Sequence, residues 1–344
     1  MIKTKLFKPP YTVFFDIEYR LEQFSKCVDP LVKLKEIVPW TSFRSELSKI
    51  HDKERKSRAG RKPYDTDLMF KILILQSLYN LSDEAMEYQV RDRLSFMRFF
   101  NLAIEDSVPD ARTIWFFREQ LKEFKLVEKL FADFDRYLAE SGFEAKKGQI
   151  IDASIAAAPK QRNSREENGQ IKDGKIPKDW IQKKRSHKDT DANWVQKNVK
   201  NYFGCKNHVE VDVKHKFIRK YKVTPSSVHD SNVFEEILDK NNTGKDVFAD
   251  SAYRSKESLK ELETLGFREH LQRKGCKNKK LNNWEKQGNH TRSKIRSRIE
   301  HVFGVQAQRA KTLIIRTIGI IRADIKIGLR NLAYNMQRYS ILAV

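Results

Sequence analysis

Long apolar runs are missing from this chain. Its stretches of aliphatic and aromatic residues last only a few positions, against the roughly 20 that a membrane-spanning helix needs. Cysteine is scarce: Cys27, Cys205 and Cys276 are far apart, odd in number and form no Cys-x-x-Cys pair. That argues against a disulfide framework and for a reducing, cytoplasmic setting. Residues 1–10 mix lysine and proline without an apolar centre, so no secretory signal is expected there. His208, His215, His229, His270, His290 and His301 show no zinc-type spacing with the cysteines. The 13 glycines form no Gly-x-Ser-x-Gly elbow, phosphate loop or dinucleotide fingerprint.

Acidic residues are also in deficit, 46 Asp and Glu against 68 Lys and Arg, for a formal net charge of +22. An excess of this size concentrates polyanions around the protein and points to nucleic acid or an anionic surface. With 344 residues the chain is long enough for two domains and a real core, although only 39% of it is hydrophobic.

The first 145 residues read as mainly helical. A charged stretch over 45–58 ends at the breaker cluster Ala59-Gly60-Arg61-Lys62-Pro63. Asp65 is placed to cap a helix over 66–79, with Leu68, Ile72, Leu75 and Leu78 at helical spacing. Ser82 is placed to cap the next helix. Pro109-Asp110 opens another, with Ile114, Phe117, Leu121 and Phe124 on one stripe, and 126–140 makes one more. The pattern changes after Lys147. Residues 148–154 form a short apolar strand, and 160–200 reads as a long basic loop with Trp180 and Trp194 interleaved. Period-two alternation over 207–213 and 217–223, around Lys214-His215-Lys216, predicts a β-hairpin. A helix capped by Ser231, a strand over 246–250, a helix over 255–265 closed by Gly266 and a strand over 267–271 follow. Helical periodicity then resumes over 292–309 and about 318–339. The order predicts a mixed α/β domain. The boundaries expected are a lead-in and helix over 1–59, a helical domain over 60–145 and a mixed α/β domain over 146–344 with the basic loop 160–200.

Two acids stand at the ends of apolar strands: Asp152 after Ile150-Ile151, and Asp250 after Val247-Phe248-Ala249. An acid in such a place is costly unless it is paired, protonated or bound to a cation. One acid of this kind is commonly a cap or an ion-pair partner; two in a strongly basic chain favour function. Glu300 lies beside the apolar stripe of its helix, with Arg296 four residues earlier. Its ordinary reading is a helical ion pair. Its functional reading is the third member of a carboxylate cluster, with Arg296 orienting it or touching a phosphate. Three carboxylates suit Mg²⁺, which takes oxygen ligands, and two such ions can flank a scissile phosphate. A DNA-binding regulator using the helices over 83–93 and 110–123 as a helix-turn-helix-like pair explains the charge but not the acids. A structural RNA-binding protein lacks its aromatic recognition words.

These residues, in this order, resemble the DDE transposases of bacterial insertion sequences, the insertion-sequence-five type within the four/five superfamily. The resemblance runs from about Gly60 to Asn335. It is carried by Gly60-Arg61-Lys62-Pro63, by Pro109-Asp110-Ala111-Arg112-Thr113-Ile114 with Phe117-Arg118, and by Tyr202-Phe203-Gly204-Cys205-Lys206-Asn207-His208. Further along come Val228-His229-Asp230-Ser231, Val247-Phe248-Ala249-Asp250-Ser251-Ala252-Tyr253, Arg298-Ile299-Glu300-His301-Val302-Phe303-Gly304 and Asn331-Leu332-Ala333-Tyr334-Asn335. Ala252 and Cys205 stand where the family often has Gly and Tyr. Ser293 and Ala307 replace its Tyr and Lys around the third acid, with Gln306 or Lys311 as candidates for the missing Lys.

The resemblance implies a ribonuclease-H-like mixed sheet with flanking helices, preceded by a mainly helical domain. It implies Asp152, Asp250 and Glu300 as catalytic residues and ligands of two Mg²⁺ ions, with Mn²⁺ able to substitute. Arg296, Lys206, His208 and Tyr253 are the expected supporting residues. Double-stranded DNA, as terminal inverted repeats and target, is the expected partner, with a dimer on DNA and no membrane. The basic segments 160–200 and 273–298 are expected to contact phosphates, the second through Lys277, Lys279, Lys280, Arg292, Lys294 and Arg298. The alternative is a DNA-binding regulator or a domesticated, inactive transposase.

Overall fold

A computed structural model describes residues 19, 22, 23, 26, 29–51, 62–197, 199–276, 280–310 and 314–343. Lys277, Lys279, Lys311, Cys27 and Gly60-Arg61 lie outside the described residues, as do 52–58 of the charged stretch.

The N-terminal part is helical: α1 (Pro30–Ile37), α2 (Arg44–Ser48), α3 (Thr66–Tyr79), α4 (Asp83–Asp92), α5 (Leu94–Phe100), α6 (Ala111–Glu123) and α7 (Leu126–Glu140). Local chemistry sets these limits. Asp65 accepts from the Leu68 amide, Ser82 Oγ from Ala85 at 3.1 Å, and Asp110 from Thr113 at 2.7 Å, each satisfying an otherwise orphan helix donor. Asn80 and Asn101 close α3 and α5 in the left-handed conformation.

The C-terminal part is a six-stranded mixed sheet of β1 (Gln149–Ala157), β2 (Asn193–Lys197), β3 (Lys200–Asp212), β4 (Ile218–Pro225), β5 (Asp246–Ala249) and β6 (Arg268–Leu271). β1 is central. It pairs antiparallel with β3 on one side and parallel with β5 on the other, and β6 extends the sheet parallel to β5. β4 and β2 pair with successive halves of the long β3. Helices α8 (Arg165–Lys172), α9 (Gln182–Ser186), α10 (Phe234–Ile237), α11 (Lys256–Thr264), α12 (Asn283–Ala310) and α13 (Ile320–Leu342) flank it. This is the mixed α/β sheet with flanking helices, behind a helical N-terminal region, that the sequence predicts.

Alternation along the strands divides the core. Ile150, Phe248, Val209 and Val211 face the layer of α3, α7, α12 and α13. Ile151, Val247, Ala249 and Leu271 face α10 and α11, with Tyr253 and Leu262. The first cluster also contains Phe43, Phe70 and Phe134, so the N-terminal helices and the sheet share one apolar core. α13 is its axis: Leu329, Leu332, Ala333 and Met336 are buried at it. Gly328 permits this packing, since a Cβ there would stand 2.3 Å from the Tyr221 hydroxyl and 2.8 Å from a Val127 methyl.

Three elements differ from the sequence expectation. Within 160–200 the chain forms α8, α9 and β2 rather than a plain loop. No residue of α8 is buried; a capping box between Ser164 and Glu167 supports it, and Trp180 donates to Glu167 at 2.6 Å. Apolar periodicity cannot reveal a helix held this way. α12 starts at Asn283 instead of 292, because Asn282 and Glu285 cap each other's backbone ahead of the apolar stripe. The turn after β4 is capped by His229 Nδ1, not by Ser231, ahead of a 3-10 turn over Asp230–Val233.

Candidate active site

The parallel register of β1 and β5 pairs Ile150 with Phe248 and Ile151 with Ala249. The next positions along that register are Asp152 and Asp250. Neighbouring strands lie about 4.8 Å apart, and period two puts both carboxylates on the face of Ile150 and Phe248, the face that α12 covers. The order of the chain thus brings together two acids far apart in sequence. Asp250 leaves the strand as the cap of a 3-10 turn, Ser251–Tyr253, accepting from the Ser251 amide at 2.5 Å. Asp152 accepts from the Ala153 amide at 2.8 Å.

Arg296 of α12 meets this pair. Its Nη1 donates to Asp152 Oδ2 at 2.8 Å, and the two side chains are only 21% and 17% exposed. Burial pushes the Asp152 carboxyl above its ordinary range. Arg296 opposes that push, and the charge of Asp250 adds to it. A second cation at this place would be stabilised by the same field, so the two aspartates fit a hard divalent ion of the Mg²⁺ type.

Glu300 stands one helical turn beyond Arg296, on the same flank of α12 by the 100° step of the helix, and it is exposed. Among the described residues, no three His, Cys, Asp or Glu side chains are grouped so as to hold a metal ion. The structure therefore brings Asp152, Asp250 and Arg296 together and leaves Glu300 on the rim.

Period two moves two expected supporting residues elsewhere. His208 pairs with Ala153 across β1–β3, so its ring falls on the opposite face from Asp152. There it bonds the Tyr253 hydroxyl through Nδ1 (3.1 Å) and Thr224 through Nε2 (2.9 Å). Burial holds it at about 4, so the imidazole is neutral at pH 7. Lys206 shares that face and is bound to Asp230 and the Val228 carbonyl, both at 2.7 Å. Tyr253 is fully buried beneath the aspartates, and burial together with nearby acids raises its hydroxyl well above the usual phenol range. His208, Tyr253, Lys206 and Asp230 are thus the underside of the site: they brace the turn that carries Asp250. Gln306 is committed to Asn331 and, through its carbonyl, to Arg330.

The basic residues divide by flank. Arg292 lies one turn before Arg296, on the side of the acids, and bonds Asn289. Lys294 and Arg298 lie about 200° around the helix; both are exposed, as is Lys280, and Arg298 donates to the Val213 carbonyl at 3.2 Å. Gln272 and Arg273, just after β6, tie α12 to the sheet through Ser293 and Asn289. Sequence reasoning passed over the ion pairs that lock the helical layer: Arg118 with Asp83 and Gln76, and Arg322 with Glu119. Their only sequence signal is charge inside apolar stripes.

The sequence profile described as a transposase DDE domain matches residues 144–336, and one described as a transposase domain (DUF772) matches residues 19–120. The solved structures similar to this chain include a cryo-EM structure of the piggyBac transposase synaptic complex with hairpin DNA. The identity is 12% and the TM-score 0.46, over 92% of this chain and 75% of that one. The chain belongs to the DDE transposase family. No helix among the described residues is long and apolar enough to cross a membrane.

Proposed function

We propose that this transposase binds the ends of an insertion sequence and cuts and joins DNA by direct phosphoryl transfer at Asp152 and Asp250, with Glu300 as the third carboxylate. The observation that supports it most is the register of β1 and β5, which sets the two acids side by side against Arg296. Asp152 and Asp250 would hold divalent metal, Mg²⁺ or Mn²⁺, and Glu300 would join them by turning in from the rim. The metal, when bound, supplies a polarised water or 3′-hydroxyl and neutralises charge on the leaving oxygen. Arg296, which holds Asp152 in this structure, would be available to pair two oxygens of the scissile phosphate through its guanidinium once another cation held that aspartate. The buried Tyr253–His208–Thr224 chain holds the Asp250 turn in place from below.

Lys277, Lys279, Lys280, Arg292, Lys294 and Arg298 would contact the phosphates of terminal inverted repeats and target duplex. Two element ends must be held at once, so the working form is a dimer on DNA. The compartment is the nucleoid-bearing cytoplasm, where such DNA lies.

The test is incubation of the purified protein with labelled element ends and Mg²⁺. Wild-type protein should nick and join. Asp250→Ala should do neither while keeping its DNA affinity, because it loses a metal ligand and one negative charge. Cleavage by Asp250→Ala at the wild-type rate would overturn the assignment. Binding without any cleavage by the wild type would favour the regulator or inactive-transposase reading.

A further inference from the structure

A second basic site lies away from the aspartates. The turn between α3 and α4, the exposed face of α6, the segment 314–318, the start of α13 and Arg185 of α9 enclose an open cavity of about 830 Å³. Five of its lining residues are Lys or Arg, and only Asp83 and Glu84 are acidic. Two of the cations are spent: Arg118 on Asp83, and Arg322 on Glu119.

Two further cations are not spent. Lys326 is mostly buried and makes no hydrogen bond or ion pair with any described residue. Burial, then the nearby Arg118, pushes its ammonium down to about 8, with Arg316 adding to the push and the charges of Asp83 and Glu84 opposing it. Arg330, one turn along the same face of α13, is 8% exposed and donates only Nη2, to the Gln306 carbonyl at 2.7 Å. Its Nε and Nη1 are buried without partners among the described residues, as is Thr317 Oγ1. Lys326 and Arg330 line a small recess of about 40 Å³ that shares Asn80, Arg118, Ile314 and Lys326 with the larger cavity. Charged donors without acceptors are costly to bury. Water can satisfy their hydrogen bonds but not their charge. A phosphate group supplies both, with several acceptor oxygens and a negative charge.

We propose that Lys326 and Arg330 form a phosphate-binding recess at the floor of this cavity, with Thr317 on the wall of the larger cavity above it, and that its occupant is a backbone phosphate of bound DNA. The phosphate chemistry stands on these donors alone; that the phosphate belongs to DNA rests on the function proposed above. Two observations favour DNA over a small anion. The mouth is wide, carrying the half-exposed Trp115 and Arg185 from the basic segment. The cavity also continues the catalytic strand: the Ile315 amide donates to the Ala157 carbonyl, at the end of β1, at 2.7 Å. Five residue steps along β1 lead from Asp152 to Ala157, about 16 Å at the usual rise, a few nucleotide steps along one strand.

The test measures duplex binding against salt concentration in EDTA, so that catalysis plays no part, with Lys326→Met and Lys326→Arg beside the wild type. Lys326→Met should fold and melt near the wild-type temperature, since the cost of desolvating the ammonium is removed together with its attraction to Asp83 and Glu84. Its log-log salt slope should fall by about one, the signature of one lost phosphate contact, and Lys326→Arg should keep the slope. In a second arm, inorganic phosphate at matched ionic strength should raise the melting temperature of the wild type but not of Lys326→Met. An unchanged slope in Lys326→Met overturns the DNA site. If inorganic phosphate nonetheless discriminates the two proteins, the recess is a small-anion site and the DNA assignment falls. A lower melting temperature with unchanged binding makes Lys326 structural and overturns the proposal entirely. A reduced slope in a protein that never cleaves DNA with Mg²⁺ would sink the catalytic reading and leave this one standing.

Discussion

Arg296 of α12 and Asp152 of β1, 144 residues apart in sequence, meet at 2.8 Å on the sheet face that α12 covers. The guanidinium supplies the positive charge that the Asp152–Asp250 pair requires. Arg296→Gln should therefore melt lower than the wild type in EDTA, by about 1–3 kcal/mol, less than for a fully buried pair. It should also gain more from added Mg²⁺, because the competing cation is gone. Thermal melts with and without Mg²⁺, in the absence of DNA, read this directly. Equal stabilisation of both proteins by Mg²⁺ would mean that Arg296 and the metal do not share a site.

Lys280 and Lys294 are exposed, and Arg292 lies on the flank of the acids. Replacing all three with alanine should lower the salt slope of duplex binding by up to about three, one for each phosphate contact, without changing the melting temperature by more than a degree or two. An unaltered slope would place the DNA on another face.

Glu210 of β3 is wholly buried with neither carboxylate oxygen bonded. Burial, then Asp239 and Asp212, raises its carboxyl well above the ordinary 4.5, Arg219 only partly offsetting them and Asp135 adding to the rise. The folded chain thus holds this proton more tightly than the unfolded one. Its contribution to stability is full below about 4.5 and is lost as pH rises towards the folded value. Glu210→Gln should flatten that decline, so denaturant melts of the two proteins should diverge as pH rises above the carboxylate range, the variant being the more stable. Parallel pH profiles would show that Glu210 is charged in the folded chain.

Gly328 lets α13 approach Tyr221 and Val127. Gly328→Ala gains helix propensity but overpacks this contact, for a net loss of about 1–3 kcal/mol. Tyr221→Phe in the same chain should recover part of it, since the hydroxyl oxygen is the nearest obstacle at 2.3 Å. A Gly328→Ala protein as stable as the wild type would show that α13 can shift freely.

The local chemistry of this protein is written in its sequence. Asp65, Ser82, Asp110 and Ser255 cap their helices because a cap needs only a side chain and an amide three residues on. Asp152 and Asp250 could be picked out because an acid behind an apolar run is anomalous wherever it lies. The helices α8 and α9 were hidden because they bury no apolar face. Lys326 and Arg330 were hidden because a charge inside an apolar helix looks the same in sequence whether it is paired or not.

Tertiary structure decided the rest. Only the parallel register of β1 and β5 sets Asp152 beside Asp250, and only the antiparallel register of β1 and β3 sends His208 to the other face. A shift of one residue in either pairing would reverse those placements, and no local signal prevents it. What prevents it is the burial of Ile150, Phe248, Val209 and Val211 against one helical layer and of Ile151 and Ala249 against the other, a constraint that exists only once both layers are packed.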